Sequence, residues 1–113
     1  PHSEYVSGSA CLFQGSEDYI GGYMQEIGVD TPFPVAFRPV EAKTSKVEPG
    51  LVPAEAVTLT YESVQAMAEA GRQSRLNGGM HFEASVPAAR ILCAGIGTHV
   101  MTGTTDLYKE EDD

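Results

Sequence analysis

The 113-residue sequence is poor in positive charge: seven Lys and Arg stand against sixteen Asp and Glu, a formal net charge of −9. That shortage argues against a duplex nucleic-acid binder, whose affinity comes mostly from basic groups that release phosphate counterions. Much of the acid lies at the end, where Asp106, Glu110, Glu111, Asp112 and Asp113 accompany Lys109 alone, and without those eight residues the net charge is −5. Long apolar runs are also missing. The longest, residues 86–97, is interrupted by Arg90 and falls short of the ~20 residues a membrane-crossing helix needs. No charged-then-apolar leader opens the chain, which begins Pro1-His2-Ser3 without Met. It reads as a fragment or processed form whose compartment is not encoded here. Cysteine is rare. Cys11 and Cys93 lie 82 positions apart with no CxxC, which speaks against a metal-thiolate site, and they read as small apolar residues of a reduced core rather than as a disulfide. One domain fits the length.

What is present is helical periodicity in three stretches. In the first, Leu12, Ser16, Tyr19, Tyr23 and Ile27 share one sector, Gln14, Glu17 and Asp18 point away, and Gly28 is the stop. Gly15, Gly21 and Gly22 each cost about 1 kcal/mol relative to Ala, so this helix depends on tertiary packing. Residues 29–58 hold five of the seven prolines, Pro32, Pro34, Pro39, Pro49 and Pro53, and form a long connection. Val35-Ala36-Phe37 and Val57-Thr58-Leu59 are suited to pairing as a small hairpin within it. A second helix is expected from a cap at Thr60, with Val64, Ala68, Gly71 and Arg75 inward and Glu69 and Gln73 outward. After Asn77-Gly78-Gly79, a third helix begins near Ser85, tolerates Pro87 in its first turn and continues toward Thr102, apolar all round and so read as buried. The expected class is all-α: a helical-bundle fragment of about three main helices over residues 1–104, with a frayed acidic tail over residues 105–113.

An arginine on an inward stripe requires an anion. His81 follows Arg75 by six residues through a Gly-Gly turn that lets the imidazole fold back toward the end of the arginine's helix. Ser7-Gly8-Ser9 opens the first helix, where free N–H groups and the helix dipole favour an oxyanion. Taken singly, the Ser-Gly-Ser is a helix cap, Arg75 a carboxylate-paired or surface residue and His81 a structural histidine, the class in which His2 and His99 also fall. Taken together they supply a planar fork, a hydroxyl, backbone donors and one imidazole, an inventory suited to phosphate or vanadate.

These residues carry a family resemblance. Ser74-Arg75, five residues and then His81, within EAGRQSRLNGGMHFEAS, resembles the third signature of the type 2 phosphatidic acid phosphatase and vanadium-dependent haloperoxidase superfamily, with Gly-Gly and His-Phe closer to the haloperoxidase branch. Glu4-Tyr5-Val6-Ser7-Gly8-Ser9 is similar to the second signature, usually Pro-Ser-Gly-His. The resemblance covers about residues 1–102. It implies that Arg75, the Ser7 hydroxyl and the Gly8 N–H hold the equatorial oxygens of vanadate and that His81 is the axial ligand, in a protein oxidising halide with hydrogen peroxide. The alternative it implies is an acid-phosphatase-type hydrolase of phosphate esters with His81 as nucleophile. One site serves both because trigonal-bipyramidal vanadate imitates the phosphoryl-transfer transition state. Ser9 replaces the family's second histidine, and a neutral hydroxyl cannot serve as acid and base there; Ser85 replaces an Asp found in many members. These departures favour a third possibility, a catalytically silent member used for binding. The family's first signature, with a Lys and an Arg, is expected in the parent chain upstream of Pro1, and without it the 113 residues alone are expected to bind vanadate poorly and to be inactive.

Overall fold

A computed structural model describes residues 2–29, 34–36 and 39–111. The fold is an all-α bundle fragment. Its elements run α1 (Gly8–Glu26), β1 (Val35–Ala36), β2 (Thr60–Tyr61), α2 (Val64–Asn77), α3 (Ser85–Cys93) and α4 (Ile96–Glu111). Helix α1 lies at the centre and packs against the other three helices.

Ser7 caps α1, its hydroxyl accepting from Ala10 N at 3.2 Å, and Gly28, with φ +73°, follows its end. The expected inward face is reversed. Leu12, Tyr23 and Ile27 are exposed, while Gln14 is buried and Glu17 turns inward. The cause is Arg72 on α2, which is 1 % exposed. Its guanidinium donates to Glu17 at 2.7 Å, Gln14 at 3.2 Å and Glu69 at 2.7 Å, and the cost of a buried cation without acceptors outweighs the hydrophobic gain of burying a few apolar side chains there instead. Glu69, expected to face water alone, closes this network from the rim.

The second helix starts three residues later than its expected cap. Thr60 and Tyr61 pair antiparallel with Ala36 and Val35, and Ser63 takes over the capping role, accepting from Ala66 N at 3.0 Å. The small hairpin therefore forms with Thr60-Tyr61 in place of Val57-Thr58-Leu59; Val57 instead bridges Val40. Pro32 and Phe37 lie outside the described residues.

The third expected helix is two helices. Gly95, with φ +85°, breaks the chain after α3, and its N–H donates to Asp18 at 2.7 Å. Only Val86, Ala89 and Cys93 of α3 are buried among its apolar residues, whereas Ile91, Leu92, Ile96 and Val100 are exposed. Leu12, Tyr19, Ile20, Ile96 and Val100 border an open apolar groove between α1 and α4. Helix α4 continues through the expected tail to Glu111, and Lys109 pairs with Glu26 at 3.0 Å; Asp112 and Asp113 lie outside the described residues.

The core beneath the site is made of small groups. Ala10 and Ala89 are wholly buried and meet Val86, with Val6, Cys11 and Leu76 around them. This close crossing brings the Cys11 and Cys93 Cα atoms to 5.4 Å, and the two form a disulfide rather than remaining reduced. The separation falls within the range such a bond spans. Among the described residues no helix is long and apolar enough to cross a membrane.

Candidate oxyanion site

One end of the bundle gathers the chemically interesting residues. The N-termini of α1 and α3 meet there, since Ser7 N donates to Ser85 O at 3.2 Å, and both helices direct their positive dipole ends to this corner. The last turn of α2 arrives beside them. It carries Arg75, and the turn after it folds back so that Met80 N donates to Arg75 O at 2.9 Å. His81 follows directly.

His81 is buried and its tautomer is fixed by geometry. Nδ1 lies 2.7 Å from the Glu4 carbonyl oxygen, which can only accept, so Nδ1 carries a proton, and of the two neutral tautomers this is the one that presents the lone pair on Nε2. Nε2 in turn lies 3.1 Å from His2 Nε2. The Glu4 carboxylate accepts from Phe82 N at 2.8 Å and from the Ser85 hydroxyl, clamping the loop that bears the imidazole. The Ser85 hydrogen bond, followed by that of Phe82 and by the two imidazoles, holds the Glu4 carboxyl below the usual carboxylate range, against the opposing effect of burial. Ser85, near which the third helix was expected to begin, is the first residue of α3, and its hydroxyl bonds Glu4; the cap residue is Ala84, which offers no side-chain acceptor.

Ser7 is wholly buried, and while its oxygen accepts from Ala10 N its own proton remains to donate. Gly8 opens α1, so its N–H has no intrahelical partner, and no atom lies within 4 Å of where a Cβ would stand. Arg75 Nε is buried and lacks a hydrogen-bond partner among the described residues. An orphaned guanidinium nitrogen, a buried hydroxyl with a spare proton and an open helix N-terminus are groups of the kind that hold an oxyanion's oxygens, and the imidazole offers a lone pair. No three His, Cys, Asp or Glu side chains converge as a metal cage among the described residues. Vanadate, an oxyanion held mostly by hydrogen-bond donors, fits this set.

The structure thus brings Ser7, Gly8 and His81 to one corner, with Arg75 in the adjoining turn and without a direct hydrogen bond from its guanidinium to them. Three residues were not singled out in the sequence: His2, Glu4 and Arg72. The Glu-Tyr pair ahead of Ser7 was a signal for Glu4. Nothing in the periodicity signals His2.

Residues 1–110 match the family model described as the VCPO (vanadium chloroperoxidase) second helical-bundle domain. No curated protein sequence matches. Among solved structures, the apo-type and holo-type crystal structures of a bacterial vanadium-dependent chloroperoxidase are similar in fold, with TM-scores of 0.69 and 0.70 and 21% identity, covering 88% of this chain. The chain spans about a fifth of the length of those chloroperoxidase chains, 20% in each comparison. With nearly its whole length matched by that family, the chain belongs to the VCPO second helical-bundle domain family, within the vanadium haloperoxidase superfamily.

Proposed function

We propose that this domain supplies the oxyanion-holding corner of a vanadate-dependent haloperoxidase-like protein that oxidises halide with hydrogen peroxide. The observation that carries the reading is the fixed tautomer of His81: the Glu4 carbonyl holds the Nδ1 proton at 2.7 Å, which leaves Nε2 as the one ring atom able to bond the central atom of an oxyanion. Arg75 supplies permanent positive charge through a guanidinium whose Nε has no other partner. The Ser7 proton and the Gly8 N–H hydrogen-bond the oxyanion's oxygens, aided by the dipole of α1. When bound, vanadate supplies the centre at which peroxide is activated toward halide. The role of the protein is to bind, orient and neutralise.

The same donors suit the transferring phosphoryl group of a phosphate ester, with His81 Nε2 as nucleophile. Full-length protein assayed for halide oxidation with peroxide, with and without vanadate, alongside p-nitrophenyl phosphate hydrolysis, separates the readings. Vanadate-dependent oxidation is expected. Hydrolysis inhibited by vanadate establishes the phosphatase instead, and loss of neither activity in His81→Ala removes the assignment of this residue. Absence of both activities in a folded protein identifies a silent member, the outcome that Ser9 favours.

A further inference from the structure

We infer that His2 is a further ligand of the oxyanion, donating its Nε2–H to a guest oxygen once the guest sits on His81; the inference rests on the site reading above. With Nδ1 donating to the Glu4 carbonyl, the neutral His81 ring has Nε2 as its acceptor. The proton in the 3.1 Å contact between the two Nε2 atoms therefore belongs to His2. The rings stand 4.7 Å apart and are tilted at 55° rather than stacked. The 3.1 Å contact sets the His2 nitrogen against the atom an incoming anion would use.

The two contacts exclude each other, since a central atom bonded to His81 Nε2 takes the place of the His2 proton. The guest's oxygens then surround that nitrogen, where the His2 donor already stands. His2 is exposed and lies in the short segment ahead of α1, so a small swing is enough to redirect it, whereas His81 is buried and held. The exchange is favourable. His2 gives up a neutral nitrogen acceptor for a charged oxygen, and hydrogen bonds to ionised acceptors are the stronger class. The segment that bears Glu4, which orients His81, thereby also carries a donor for the guest.

The test uses the full-length protein, with orthovanadate binding followed by calorimetry and the ring-nitrogen NMR signals of both histidines followed on adding inorganic phosphate. Phosphate is expected to shift the His2 and His81 signals together. His2→Ala is expected to weaken vanadate binding about tenfold, the effect of losing one hydrogen bond to a charged group, and His2→Gln, which keeps an N–H donor at similar reach, to recover most of it. Equal or tighter binding in His2→Ala, with binding lost in His81→Ala and Arg75→Ala, overturns the role of His2 and leaves the site intact. Unchanged binding in all three variants overturns the site itself.

Discussion

The Glu4 carbonyl oxygen accepts the Nδ1 proton of His81 at 2.7 Å, while the carboxylate of the same residue reaches Phe82 N at 2.8 Å. One residue thus sets the ring's tautomer through its main chain and fixes the following loop through its side chain. Orientation of a ligating imidazole by a second acceptor is what keeps such a ring in a single pose.

Acidification should loosen this corner. The Glu4 carboxyl is held below its ordinary range chiefly by the Ser85 hydroxyl, so its contribution is complete above the pH at which an unfolded-chain glutamate ionises and is lost as pH falls through the lowered value. Amide exchange at Phe82, corrected for intrinsic rate, is expected to accelerate over that acid window, and in Glu4→Gln the acid dependence should disappear. An identical acid response in wild type and Glu4→Gln would refute the assignment.

Breaking the Arg72 network should depend on which carboxylate is removed. Burial works against the Arg72 charge, and the hydrogen bonds to Glu17 and Glu69 outweigh it, so the guanidinium stays above its ordinary value. Glu17 is 12% exposed and Glu69 57%. Glu17→Ala, which removes the more buried carboxylate and leaves the Arg72 charge with Glu69 and Gln14, is expected to cost about 2 kcal/mol of stability, and Glu69→Ala, at the solvent rim, under about 1 kcal/mol. Denaturant unfolding of both variants measures the difference.

Reduction of the Cys11–Cys93 bond releases a loop of 82 residues in sequence. The stabilisation lost should be about 2–4 kcal/mol, seen as a lower Tm under reducing agent and in the double Cys→Ser variant. A Tm indifferent to reductant would show that the bond contributes nothing to stability.

Gly97→Ala should separate α4 from α1. A Cβ at this position would overlap the Gly15 carbonyl oxygen and lie 2.8 Å from Tyr19 N, both backbone atoms that cannot turn aside as a side chain can. A cost of about 1–3 kcal/mol is expected, whereas Gly21→Ala, with nothing within 4 Å of its Cβ position, should be neutral or stabilising. Unfolding curves of the pair decide it.

Some ends of the helices were legible in the sequence: the start and stop of α1, the stop of α2 and the start of α3. Ser7, Gly28, Gly78 and Pro87 mark termini through local backbone chemistry, which needs no knowledge of neighbours. Faces were less so. The apolar stripe of α1 misled because the decisive inward group, Arg72, sits 55 residues from Glu17, and hydropathy cannot register a distant cation's need for acceptors. The break at Gly95 was hidden by uninterrupted apolar periodicity. At the site, Ser7, Gly8, Arg75 and His81 stood out by residue type and spacing. His2 did not, because a residue outside any helix has no phase, and its partner is 79 positions away.

The alanine floor beneath the site has its own consequence. Ala10 and Ala89 are both wholly buried where α1 meets α3, so little side-chain bulk separates the two helices beneath their N-termini. Enlarging either methyl would move Ser7 relative to Ser85 without touching a single polar atom of the corner, and the loss would register as altered anion geometry before it registered as unfolding.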